Sequence, residues 1–525
     1  MTEQHFDIVI IGAGPGGYST ALRAAQLGKT VALIERDKTL GGTCLNRGCI
    51  PSKALLTAAH SAQNIRQAER MGISATLQSI DFGKLRDFRT STVETMTKGL
   101  AGLLSHRGVT VFRGEAELRD VHDVHVAPAG GEAQVMRSFK AGVEEPVGSE
   151  LTIKGEDIVL ATGSRPLPLP GNPFSGALID STQALELDTF PSSAVIVGAG
   201  AVALEFASLW NAAGCEVTLL IRKDRVLSSW EKRASMTLTR ELKRRGISVV
   251  TRASVDYVDT GANLGATVHY RQGGGEEERT AYGEVVLAAI GRMPNTDAGW
   301  FASNGIELEE RGYVSTDAYG RTNVEGVWAL GDITPGHALA HRAFEQGITI
   351  AETIAGLDPK PVSDETVPQV VFSFPEAASV GLALDDAKSC ETIINPQETA
   401  YPMLSNSRML MSGEGGSMTI VSGAMAGAPD VPLVLGVHIV SPLASDLIAE
   451  AEQLVGNRVP LASAARLIHP HPTFSESFGE ALLKADGRPL HTRSSPSIKE
   501  KRRKPCDMAW FLINYRSSVS NRITK

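Results

Sequence analysis

Two cysteines stand five positions apart in GGTCLNRGCIPSKALL, residues 41–56, between a glycine pair and a proline. Thiols that close can form a structural disulfide, bind a metal or exchange with a substrate disulfide. A structural metal site needs about four ligands, and no further cysteine or histidine lies close to Cys44 and Cys49 in the chain. No metal is expected. The whole chain holds 5 cysteines in 525 residues, an odd and sparse count unlike a secreted disulfide scaffold. A reducing cytoplasm is the expected compartment, which disfavours a purely structural bridge. In a regular helix five positions turn through about 500°, so the two side chains point roughly 140° apart. Bridging them requires a distorted helical start, and Gly41, Gly42, Gly48 and Pro51 supply irregular backbone there. A strained bridge is more easily reduced, as redox catalysis requires.

The elements that must hold such a pair begin upstream. FDIVII followed by GAGPGGYSTALRAAQLG reads as a buried strand, a tight turn and a helix. Gly12, Gly14 and Gly17 have the spacing that permits the turn, lets backbone approach a pyrophosphate and allows close helix packing. The next strand, TVALIE, ends in Glu35, placed to bind an adenosine ribose hydroxyl. The pattern recurs in SSAVIVGAGAVALEFASLW with Gly198, Gly200 and Ala203. There the following strand, CEVTLLI, ends in Ile221 and runs into Arg222-Lys223-Asp224-Arg225. Loss of the carboxylate removes repulsion toward a 2′-phosphate, and a nearby guanidinium can bind one. NAD is the expected coenzyme of this second site, with NADP as the alternative.

Two dinucleotide folds in one chain imply two cofactors exchanging electrons. VWALGD places Asp332 after an apolar run, where an acid suits the ribityl chain or phosphate of a flavin. ATGS and AIGRMPNT each follow a strand-like run, EDIVL and EVVLA, and read as crossings between the two nucleotide domains.

Length calls for two to four domains. No apolar run approaches the roughly 20 residues that span a bilayer, and the first apolar stretch runs into a glycine turn, as a buried strand rather than a signal peptide does. The formal net charge of −8 conceals an asymmetry, with +8 from residue 488 onward and −16 before it. An acidic body argues against nucleic acid as the main ligand. The basic block 491–525 is expected to be a mobile terminus.

These motifs, together with IHPHPTFSE near the C-terminal end, resemble those of the flavin-dependent pyridine nucleotide-disulfide oxidoreductases, over residues 1 to about 490. The likeness is strongest to the branch that oxidises dihydrolipoamide. It implies an α/β fold of two Rossmann-like dinucleotide-binding domains plus an α+β C-terminal dimerisation domain. The expected boundaries are an FAD-binding domain at 1–153, an NAD(P)-binding domain at 154–285, a return to the FAD domain at 286–360 and an interface domain at 361–490. The resemblance makes Cys44 the thiol that meets substrate and Cys49 the thiolate against the flavin. It pairs Lys53, beside the flavin, with Glu205. FAD would be held by Gly12, Gly14, Gly17, Glu35, Thr43, Lys53, Thr162, Gly163, Asp332 and Ala340, and the nicotinamide coenzyme by Gly198, Gly200, Ala203, Glu205, Arg222 and Gly291. His471 would be the base and Glu476 its orienting acid, reaching the disulfide of a second copy, so that a homodimer shares its active sites. The implied partner is dihydrolipoamide or a lipoyl-carrying protein, with neither nucleic acid nor membrane.

Three features depart from that pattern. Ile221-Arg222 resembles the glutathione reductase branch, although a second arginine of that branch is replaced by Ser228, and Phe374 stands where a histidine is common. The basic tail has no counterpart. Cys506 is single, unlike the terminal cysteine pair of mercuric reductases. The alternatives are therefore an NADPH-linked reductase of another small disulfide, and a non-catalytic flavoprotein scaffold that binds through its tail.

Overall fold

In this computed structural model, residues 4–140, 143–261 and 265–492 are described. The basic tail beyond residue 492, with Cys506, lies outside them. Three sheets organise the chain. The first is built on the strand Gln4–Ile11, whose last four residues are all buried. It runs parallel to Val31–Glu35 on one side and Leu151–Leu160 on the other. Thr110–Arg113 and Val327–Ala329 extend the parallel core outward. A strand buried on both faces reads as an unbroken apolar run, which is why FDIVII and DIVL carry no polar alternation. Antiparallel hairpins finish the two rims.

The second sheet is wholly parallel, in the order Leu178–Ile179, Val285–Ala288, Ser193–Val197, Glu216–Ile221 and Ser248–Thr251. The third is antiparallel, in the order Gln369–Val371, Glu376–Gly381, Pro432–Ser441, Ser417–Met425 and Ile393–Pro402. Ile448 and Ala451 of the helix Ala444–Gly456, and Phe478 and Leu482 of Glu476–Ala485, share a buried core with Val437 and Ile439 of this sheet.

Two of the expected domain boundaries fall inside strands. The cut between residues 153 and 154 falls inside Leu151–Leu160, which pairs with Gln4–Ile11 from Ile153 to Leu160. The cut after residue 285 falls inside Val285–Ala288, paired throughout with Ser193–Val197. In each case the ladder continues to the end of the strand, so the chain changes sheets only after Leu160 and after Ala288. The crossings themselves, Ser164–Pro166 and Arg292–Pro294, pair with each other as a two-stranded antiparallel ladder.

Helix packing joins the first two domains. Leu55, Leu56 and Ala59 of the helix Cys49–Gln67 are buried against Ala203, Ala207 and Trp210 of the helix Ala201–Ala213. Each fully buried leucine contributes about 1.5–3 kcal/mol, so the relative placement of these helices is firmly held. The helix Ala340–Ile354 packs on Pro15–Gln26, where Tyr18 and Phe344 place their rings 5.7 Å apart. A Cβ at Gly347 would fall 2.4 Å from Ser19 Oγ. Among the described residues no helix is long and apolar enough to cross a membrane.

Candidate active site

The cysteine motif folds as two helices, Gly42–Arg47 and Cys49–Gln67, broken at Gly48 (φ −148°, ψ −107°). This is the irregular start that the five-residue spacing demanded. Pro51 sits in the first turn of the second helix, where a missing N–H costs nothing. Cys44 and Cys49 are both free thiols, and the Cys44 S–H donates a hydrogen bond to Cys49. That bond, with the Lys53 ammonium helping, outweighs burial and brings Cys49 down to about 7. As the first residue of its helix Cys49 also gains from the backbone N–H groups there. Cys44 is pushed well above the usual thiol range by the same bond, by burial and by its neighbour's charge. One thiol is thus prepared as a thiolate while the other keeps its proton.

Lys53 follows one helical turn after Cys49. Its Nζ lies 2.8 Å from Glu205 Oε2 and 4.4 Å from the centre of the Phe372 ring. Glu205 is buried on the helix Ala201–Ala213, and its other oxygen accepts the Phe372 N–H at 3.2 Å. All three domains therefore meet at one ion pair. Tyr18, on the helix of the first glycine turn, packs against the same core as Cys44, and burial pushes its phenol up to about 12. Neither Phe372 nor Tyr18 stands out in the sequence, because an aromatic side chain there reads as ordinary packing.

The first glycine turn fits a dinucleotide. Gly12 has φ +104°, and a Cβ on it would fall 2.3 Å from the Ala161 carbonyl oxygen. A Cβ at Gly17 would fall 1.8 Å from the Gly12 carbonyl oxygen. Gly14 caps the helix Pro15–Gln26 and approaches Gly42 so closely that a Cβ at Gly42 would lie 2.7 Å from the Gly14 Cα. The first glycine turn thereby touches the start of the cysteine helix, which also carries half-buried Thr43. Glu35 is buried and accepts the N–H groups of Ala13 at 2.8 Å and Asp37 at 2.9 Å. Burial pushes its carboxyl above the usual carboxylate range in spite of those two donors.

Further round this site, Asp332 lies on the short turn Gly331–Ile333, and Ala340 opens the helix Ala340–Ile354. Asp332 accepts the Ser164 hydroxyl at 2.5 Å. The Thr162 hydroxyl donates to the Asn295 carbonyl at 2.9 Å, and Asn295 N–H donates to the Gly163 carbonyl at 2.9 Å.

The second glycine turn repeats the geometry. Gly198 has φ +144°, and a Cβ there would fall 2.2 Å from the Ala289 carbonyl oxygen. Ala203 is fully buried beneath it. Gly200 and Gly291 have open space where a Cβ would stand, as the approach of a coenzyme requires. Ile221 is fully buried at the end of its strand, whereas Arg222 is exposed. Arg225 is held locally by Asp224 at 3.1 Å and by the Ser228 carbonyl at 3.0 Å.

His471 and Glu476 are brought together, with Nδ1 2.7 Å from Oε1. Glu476 is the first residue of the helix Glu476–Ala485, and its N–H donates to Thr473 Oγ1 at 3.2 Å. The His471 side chain is 73% exposed, and among the described residues no contact links it to Cys44 or Cys49 of the same chain. His469 differs: it is half-buried, lies 2.9 Å from Glu450, and is raised by that hydrogen bond against its partial burial. It braces the segment.

Comparison with known proteins follows these features. Residues 6–347 match the family described as pyridine nucleotide-disulphide oxidoreductase, and residues 367–482 match the dimerisation domain of the same family. A dihydrolipoyl dehydrogenase of Geobacillus stearothermophilus is 37% identical over 486 residues, covering 92% of this chain and 97% of that protein. One from Bacillus subtilis is 38% identical over 487 residues, with the same coverage of 92% and 97%. Among solved structures, the crystal structure of LpdA from Mycobacterium tuberculosis superposes with a TM-score of 0.77 at 26% identity, covering 92% of this chain and 99% of that one.

Proposed function

The chain belongs to the pyridine nucleotide-disulphide oxidoreductases, and from that premise we propose that it acts as a dihydrolipoyl dehydrogenase, oxidising dihydrolipoamide or a lipoyl-carrying protein. The observation that carries this reading is the pair of free thiols set about the break between two helices, with the Lys53–Glu205 ion pair one turn after Cys49. In the oxidised protein these two sulfurs form one disulfide. A substrate thiolate attacks Cys44, releasing Cys49 as a thiolate that its helix start and Lys53 stabilise. The second substrate thiol then displaces Cys44, so the substrate leaves as a cyclic disulfide and the protein keeps the two electrons as a dithiol. Bound FAD would supply the acceptor for that electron pair and the route to NAD+.

The proton released by each substrate thiol needs an acceptor. His471, oriented by Glu476, supplies one. Its exposure on the dimerisation domain supports a role at the disulfide of a second copy, with two shared active sites per homodimer. The first glycine turn, Glu35, Thr43, Thr162, Gly163, Asp332 and Ala340 would hold FAD. The second turn, with Glu205, Arg222 and Gly291, would hold the nicotinamide coenzyme. A reducing cytoplasm suits the sparse, odd cysteine count.

A second reading keeps the site and changes the coenzyme. Buried Ile221 followed by exposed Arg222 favours a 2′-phosphate, and hence an NADPH-dependent reductase of another small disulfide. An initial-rate assay of the flavin-loaded protein with dihydrolipoamide, offering NAD+ and NADP+ in parallel, tests both. Fast NAD+ reduction supports the dehydrogenase. Turnover only with NADP+ supports Arg222 as a phosphate ligand, and none with either overturns the lipoyl substrate.

A further inference from the structure

One side chain ties the two domain crossings to the acid of the proposed flavin site. Arg292 donates from Nε to Ser164 Oγ and from Nη2 to the Ser164 carbonyl, both at 2.6 Å. The Ser164 hydroxyl donates onward to Asp332 Oδ2 at 2.5 Å, and Arg292 Nε is 3.8 Å from that same oxygen. The order of donors has only one solution. A guanidinium can only donate and an ionised carboxylate can only accept, so the single serine proton must point to Asp332. Ser164 is buried, at 7% exposure, which strengthens each bond relative to water. Among the described residues no hydrogen bond reaches Asp332 Oδ1, so that oxygen remains an acceptor. Arg292, meanwhile, opens the strand Arg292–Pro294, three residues after Ala289, whose carbonyl lies against Gly198 of the second glycine turn.

We propose that Arg292, acting through Ser164, is a positioning residue for the flavin: it fixes Asp332 so that Oδ1 faces a ribityl hydroxyl, and it links that acid to the coenzyme-side loop. The inference rests on the FAD reading given above. A staple that merely holds the two crossings together would lower stability without acting selectively through Asp332. The relay instead makes flavin affinity depend on Arg292 only while Asp332 is present.

The test uses the full chain and its Arg292→Met, Ser164→Ala and Asp332→Asn variants, with the Arg292→Met/Asp332→Asn double variant. FAD binding to each apoprotein is read from quenching of flavin fluorescence, and the midpoint potential of the bound flavin from equilibration with redox dyes. Arg292→Met is expected to weaken FAD binding about tenfold or more, the scale of a hydrogen bond to a charged group, and to shift the potential. Ser164→Ala should fall between, because the guanidinium is near enough to approach Asp332 directly. In the double variant the two effects should be far less than additive. Affinity within twofold of the parent in both Arg292→Met and Ser164→Ala, or full additivity with Asp332→Asn, would overturn the proposal. Should Arg292→Met fail to fold, Ser164→Ala decides alone: FAD affinity and potential equal to the parent's refute the relay. Failure of the parent chain to bind FAD refutes the FAD reading itself.

Discussion

Replacing Lys53 by Met and, separately, Glu205 by Gln should move the acidity of Cys49 in opposite directions. Lys53 lies one turn after Cys49 on the same helix, a separation of about 5–6 Å between Cβ atoms. A unit charge at about 6 Å in an effective dielectric of about 20 is worth about 3 kcal/mol, or about two pH units. Glu205, 2.8 Å from the ammonium, opposes that field at the thiol, as does water at the partly exposed lysine. About one unit should remain. With the parent midpoint at about 7, Lys53→Met should place Cys49 about one pH unit higher. Glu205→Gln removes the opposing charge and leaves the ammonium, so its midpoint should fall below the parent's. The assay is a pH titration of the long-wavelength thiolate–flavin absorbance in the two-electron-reduced, FAD-loaded protein, with flavin content matched between variants. A Lys53→Met midpoint that stays put or falls refutes the electrostatic account. So does a rise in Glu205→Gln.

Three further outcomes are expected. His471→Gln should slow turnover about a hundredfold or more while leaving rapid reduction of the flavin by the nicotinamide coenzyme in place; Glu476→Gln should have a smaller effect of the same kind, and stopped-flow separation of the half-reactions would expose an equal loss in both. Arg222→Ala should raise KM for NADP+ about tenfold or more, the scale of a charge-assisted bond to phosphate, with a smaller change for NAD+; equal changes for both would remove Arg222 from phosphate recognition. Gly17→Ala forces a Cβ to 1.8 Å from the Gly12 carbonyl oxygen, so it should cost about 1–3 kcal/mol in denaturant unfolding and weaken FAD retention, whereas an unchanged midpoint and flavin content would mean the turn can shift freely.

The two nucleotide folds were legible because their signals are local. A buried strand, a turn that needs positive φ at Gly12 and Gly198, and a helix packed against the turn all lie within about twenty residues. The cysteine motif and the His471–Glu476 pair are local in the same sense, the latter separated by only five positions. Even the break between the cysteine helices follows from spacing and from Gly48, since a continuous helix could not bring the thiols together. Domain boundaries were less legible. The sheet ladders run on past residue 153 and past residue 285, and pairing, which no single stretch of chain encodes, decides where a strand ends.

By itself, then, the sequence determined the close pair of thiols, the two glycine turns, the acid after the first and the missing acid after the second, because each needs only neighbouring residues to be recognised. Only the tertiary structure decided what surrounds them. Phe372 supplies a ring to Lys53 and an N–H to Glu205 from 167 positions beyond that acid. Ser164 meets Asp332 across 168 positions, and Tyr18 shares a core with Cys44 from the helix of another motif. Such contacts arise where separate sheets and helices close on one another, and the residue types involved are common enough in packing or solvation that no local pattern singles them out.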